Sequence, residues 1–118
     1  MKRDVNDLVD ICHQAQVDNG WWQGVDVFAP FVIPAKLALI HSEVSEALEG
    51  DRKDQMDDKL PHRKMVEVEL ADAVIRIFDL AGAMGMDLGG AMAEKLVFND
   101  SRADHKPANR AKEGGKNY

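Results

Sequence analysis

The stretch 36-KLALIHSEVSEALEG-50 decides the fold. At roughly 100° per residue, Leu39, Ile40, Val44, Ala47 and Leu48 share a broad apolar arc, with His41, Ser42, Ser45 and Glu49 opposite, which predicts an amphipathic helix. Glu43 falls inside the apolar arc, one turn beyond Leu39 and Ile40 and one turn before Ala47, with Glu46 at the arc's edge. A carboxylate in that position needs a partner, because taking an unpaired charge out of water is costly.

Outward from this segment the chain reads as helices. Residues 2 to 19 place Val5, Leu8, Val9, Cys12, Ala15 and Gln16 at helical spacing, and Gly20 supplies a stop. The aromatic connector GWWQGVDVFAPFVIP follows, and Pro34 suits the first turn of the second helix, which should reach Gly50 or a few residues beyond. The polar run DRKDQMDDKLP predicts a loop with room for an extra helical turn. Pro61 then opens a third helix over about 61 to 85, with Leu70, Ala71, Val74, Ile77, Phe78 and Ala81 as its core face. Asp87 is a candidate N-cap for a fourth helix over about 88 to 104, with Met92, Leu96 and Val97 facing inward. No strand pattern competes, so the expectation is an all-α, four-helix bundle over residues 1 to 104. The basic, flexible tail occupies 105 to 118.

The third helix carries a second acidic pair at the same spacing as the first. Glu43 and Glu46 are three residues apart, as are Glu69 and Asp72, so each pair projects from one face of its helix. If the two helices pack antiparallel, four carboxylates converge. Four like charges cannot stay close and ionised without cations, and an oxygen-only donor set suits Mg²⁺, or Mn²⁺ in its place, rather than zinc. Asp79, two turns beyond Asp72, either extends this acidic face or pairs with Arg76, and the structural pair is the expectation. A di-iron bundle would need Glu-x-x-His on two helices, which this chain lacks, and His13, His41, His62 and His105 are scattered without zinc spacing.

Composition narrows the function classes. The chain has 118 residues, 45% of them hydrophobic, so it can bury one modest core that oligomerisation would make less marginal. The net charge of −6 argues against a nucleic-acid binder held by phosphate neutralisation. Residues 43 to 72 hold ten acids against five bases, whereas 102 to 118 hold five bases against two acids, an asymmetry suited to gripping a small polyanion from two sides. The competing reading of the same pattern is a solvated acidic face on a helical binding module. The lone Cys12 leaves no internal disulfide and fits a buried small residue in a reducing cytoplasm. MKRDVNDLVD lacks the apolar core of a signal peptide, and no run approaches the roughly 20 apolar residues of a membrane span.

SEVSE, followed after 22 residues by ELAD, resembles the E-E-x-x-E then E-x-x-D signature of the MazG-like nucleoside triphosphate pyrophosphatases, in the all-α NTP pyrophosphatase superfamily. EKLVFNDSR is similar to that family's K-x-x-x-N-x-x-R segment, and EGGK to its glycine-flanked tail lysine, so the likeness spans about residues 36 to 116. One position departs from the pattern: Ser42, on the polar side of the helix, stands where the family's first acid would. The resemblance implies Mg²⁺-dependent hydrolysis of a (deoxy)nucleoside triphosphate to a monophosphate and pyrophosphate, in nucleotide-pool house-cleaning, by a homodimer or homotetramer. It implies Glu43, Glu46, Glu69 and Asp72 as the metal and catalytic residues. Lys95, Asn99 and Arg102 would contact the phosphates or sugar, Lys116 would close over the triphosphate, and a connector tryptophan, Trp22 in preference to Trp21, would stack on the base. Related dUTP and phosphoribosyl-ATP pyrophosphohydrolases use similar bundles.

Overall fold

The computed structural model describes residues 1 to 102 and 106 to 115, and its regular structure is helical throughout. The helices are α1 (Lys2–Asp18), α2 (Val32–Arg52), α3 (Met65–Ala83), α4 (Leu88–Ser101) and a single turn, α5 (Pro107–Arg110). No helix is long and apolar enough to cross a membrane among the described residues. The chain divides into two compact units. One joins Met1–Asn6 to the described residues from Asp87 onward; the other is Asp7–Met86.

In the first unit, Asp87 caps α4 as its sequence predicts. Its side chain accepts from the Gly90 amide at 2.9 Å and from Asn6 Nδ2 at 2.8 Å, and lies 3.1 Å from Lys2 Nζ. Asn6 also accepts from the Gly89 amide at 2.8 Å, so two orphan donors of the helix N-terminus are satisfied. The Asn6 and Gly90 hydrogen bonds, with Lys2 behind them, hold the Asp87 carboxyl down to about 2.

In the second unit, α2 and α3 form the principal helix pair. Gly50 lies against Met65 near one end, while Glu43 meets Arg76 farther along, so the two helices run antiparallel. Small residues carry the contact: Ala47 and Gly50 on α2 and Ala73 on α3 are buried, with Leu80 and Ala81 beyond them. A Cβ on Gly50 would lie 2.7 Å from Met65 Cγ, so the Met65 side chain fills the space that the glycine leaves open.

Met92, Leu96 and Val97 of α4, expected to face inward, are exposed, and two expectations for α2 and α3 also need correction. Leu70, Val74 and Ile77, assigned to the core face of α3, are 51%, 45% and 38% exposed, and Val44 and Leu48 of α2 are similarly open. The pair instead closes along the line of Glu69, Ala73 and Leu80, because alanine and glycine permit close approach there. The result is a helical hairpin with acids along one side and an apolar stripe along the opposite side. Secondly, α3 starts at Met65 rather than Pro61. Residues 56 and 64 are held in an isolated antiparallel bridge, and the Met65 amide donates to Gln55 O at 2.9 Å, so Pro61 belongs to a closed connector.

Candidate metal and substrate site

The antiparallel pairing brings three of the four sequence-predicted carboxylates together. Glu43, Glu69 and Asp72 each offer an oxygen, and these atoms lie within 4.8 Å of one another. Glu46 is outside this tight group and exposed, but it lines the same cleft. Glu43 is held by Arg76, whose Nε donates to its Oε1 at 2.8 Å.

Glu69 is the most deeply placed of the four, and its Oε2 is buried with no hydrogen-bond partner. Burial pushes its carboxyl up to about 8, reinforced by the adjoining Glu43 carboxyl and by the charges of Glu46 and Asp72. Asp72 is raised as well, by burial first and then by Glu43, with Arg76 opposing and Asp57 and Glu46 adding to the rise. A proton on Glu69 is how such a group tolerates itself without a cation. The buried orphan oxygen and the all-carboxylate donor set fit a hard divalent ion such as Mg²⁺ or Mn²⁺.

The cleft encloses about 790 Å³, within the size range of small-molecule sites. Asp57, in the polar loop between α2 and α3, also lines it and is buried. Its Oδ2 accepts from the Lys59 and Leu60 amides at 3.0 and 2.7 Å, a turn for which an aspartate followed by a proline four residues on is the available signal.

At the other end of the cleft, Asp79 does not pair with Arg76, which is committed to Glu43. Its Oδ1 instead faces His13 Nδ1 at 2.8 Å and accepts from Trp22 Nε1 at 2.8 Å. The His13 and Trp22 rings meet edge to face at 5.7 Å, and Lys36 Nζ sits 4.6 Å from the Trp22 ring centroid. Trp22 is therefore an anchor, fixed by its polar handle. Trp21 lines the cleft and is 66% exposed. Cys12, part-buried nearby, has its thiol pushed up by burial and by Asp79.

Lys95, Asn99 and Arg102 lie on α4 and at its C-terminal cap, in the other unit. Lys95 Nζ and the Arg102 guanidinium are 4.7 and 5.8 Å from the Phe98 ring centroid, and Asn99 Oδ1 is buried without a hydrogen-bond partner. Lys116 lies outside the described residues. No family model, curated protein or solved structure matches this chain.

Proposed function

We propose that this chain is a MazG-like, Mg²⁺-dependent nucleotide pyrophosphohydrolase, which cleaves (deoxy)nucleoside triphosphates between the α- and β-phosphates. The observation that carries the reading is the orphan oxygen of Glu69, buried in a cluster of three carboxylates that come from two i, i+3 acidic pairs. Glu43, Glu69 and Asp72 would hold the ion. When bound, such an ion would neutralise charge along the phosphate chain and make a nearby water more acidic.

The chain's own groups account for the remaining tasks. Glu46 lies outside the tight cluster and keeps a free carboxylate, so it orients the water and accepts its proton as the oxygen attacks the α-phosphorus. The bond to the bridging oxygen breaks and pyrophosphate leaves. Trp21, open on the cleft wall, takes the base-stacking role in preference to Trp22, whose indole nitrogen is engaged by Asp79. Lys95, Asn99, Arg102 and Lys116 keep the phosphate and sugar contacts that the sequence resemblance implies. The apolar side of the α2 and α3 hairpin is the surface through which a second copy would complete a four-helix bundle.

A panel of ribo- and deoxynucleoside triphosphates, assayed with and without Mg²⁺, tests the reading by separating monophosphate plus pyrophosphate from diphosphate plus phosphate. Metal-dependent pyrophosphate release is expected. Absence of turnover with every nucleotide, in folded and metal-loaded protein, would replace the enzyme with a helical binding module whose acidic face meets a basic partner.

A further inference from the structure

The connector between α2 and α3 is a built element. Asp57, only 5% exposed, ties down the Lys59 and Leu60 amides through one carboxylate oxygen, while its own amide donates to Arg63 O at 2.9 Å. The bridge between Met56 and Lys64 closes the loop behind it. Lys59 is thus presented from a fixed turn, on the wall of the cleft that also contains Glu43, Glu69 and Asp72.

Three cations line that cleft, and two are engaged. Arg76 is bound to Glu43, and Lys36 lies over the Trp22 ring. The Lys59 ammonium makes no ion pair among the described residues, although seven carboxylates share its cleft. An ammonium that leaves so many acids unpaired is available for an anion that enters from solvent. The buried orphan oxygen of Glu69 independently points to a ligand that brings positive charge to the acidic wall. A metal-complexed polyphosphate meets both conditions: its cations face the acids, and its remaining phosphate oxygens need a donor on another wall.

We propose that Lys59 is a substrate-binding residue that grips the polyphosphate chain from the α2–α3 connector. The inference rests on the pyrophosphohydrolase reading for its substrate, and it adds a phosphate contact supplied by the same unit as the carboxylates. Lysine acts as a compact point charge, so charge rather than a fixed fork is what the contact requires.

The test compares wild type, Lys59→Ala and Lys59→Arg in two assays. The first is calorimetric binding of magnesium tripolyphosphate, and the second is pyrophosphate release from nucleoside triphosphates. Lys59→Ala should weaken tripolyphosphate binding and raise KM by about tenfold, with a much smaller change in kcat, and Lys59→Arg should restore most of the loss. Lys59 is exposed, so circular dichroism should show both variants folded as wild type. If wild type turns over nucleotides and Lys59→Ala binds tripolyphosphate normally, the Lys59 assignment is overturned alone. If wild type turns over nothing but Lys59→Ala still weakens tripolyphosphate binding, the reaction is wrong and the phosphate contact stands. If wild type does not bind magnesium tripolyphosphate, both are overturned.

Discussion

Arg76 reaches across from α3 to α2 and donates through Nε to Glu43 Oε1 at 2.8 Å, one turn beyond the Asp72 that shares the acidic cluster. Arginine here is a resident counter-charge that holds Glu43 in position before any ion arrives. Replacing it with alanine should therefore lower the stability of the metal-free protein by about 1 to 2 kcal/mol, the range for a hydrogen bond to a charged group that is partly open to solvent. Saturating Mg²⁺ should shrink that loss, because the ion neutralises the same carboxylate. Urea unfolding with EDTA and with Mg²⁺ measures both numbers, and an equal loss in the two conditions would separate Arg76 from the cluster.

The pH dependence follows from Glu69. Its carboxyl is raised from the ordinary 4.5 to about 8, so between those values the native state holds a proton that the unfolded chain has released. Metal-free stability should therefore fall as pH rises through this window, with Asp72 shifting in the same direction. Mg²⁺ should flatten the fall, since the cation takes the proton's place. Melting temperatures across the window in EDTA would count against the cluster if they were level or rising.

Glu69→Gln removes the charge and keeps the shape. The metal-free protein should be as stable as wild type or more so near neutral pH, where the wild-type carboxyl would otherwise be forced to ionise or stay protonated. Mg²⁺-induced stabilisation should disappear and pyrophosphate release should fall by about a hundredfold or more, beyond the loss typical for groups that only support a metal ligand. A variant that keeps full turnover would remove Glu69 from the site.

The acidic pairs were legible because i, i+3 spacing fixes their side of each helix without reference to any neighbour, and the Asp87 cap was legible for a similar local reason. The side on which α3 packs was not. A hydrophobic wheel assigns Leu70, Val74 and Ile77 to the core, yet the close contact follows Gly50, Ala47 and Ala73, whose advantage is small size rather than hydrophobicity. Partners set by tertiary contact were equally hidden: Arg76 passes over Asp79, one turn away, for Glu43 on another helix, and Asp79 takes His13 and Trp22. Choosing Trp21 over Trp22 for the cleft wall likewise needs the connector's path, since adjacent tryptophans are equivalent in sequence.

Two glycines make the packing argument quantitative. A Cβ on Gly82 would fall 2.6 Å from His13 Cβ and one on Gly50 would fall 2.8 Å from Met65 Cβ, and a Cβ moves only with its own backbone. Gly82→Ala and Gly50→Ala should each cost about 1 to 3 kcal/mol by overpacking. Because His13 also faces Asp79, the Gly82 variant should perturb tryptophan fluorescence through Trp22. Chemical denaturation that found Gly82→Ala as stable as wild type would show that α1 is less tightly held than the contact implies.

The apolar stripe opposite the acids yields the last expectation. Leu48, Leu70 and Val74 are about half exposed, and no large side chain is fully buried among the described residues, so the isolated chain leaves unused much of the roughly 1.5 to 3 kcal/mol that burying each such side chain offers. A second copy presenting the same stripe is self-complementary in character and would complete the core on both sides at once. Sedimentation velocity should find a dimer or tetramer, and melting temperature should rise with protein concentration. Val74→Lys should shift the protein toward monomer and weaken its stability, leaving the carboxylates on the opposite side of α3 in place. A wild-type protein that is monomeric at every concentration, with Val74→Lys equally stable, would show that the stripe does not bind a second copy.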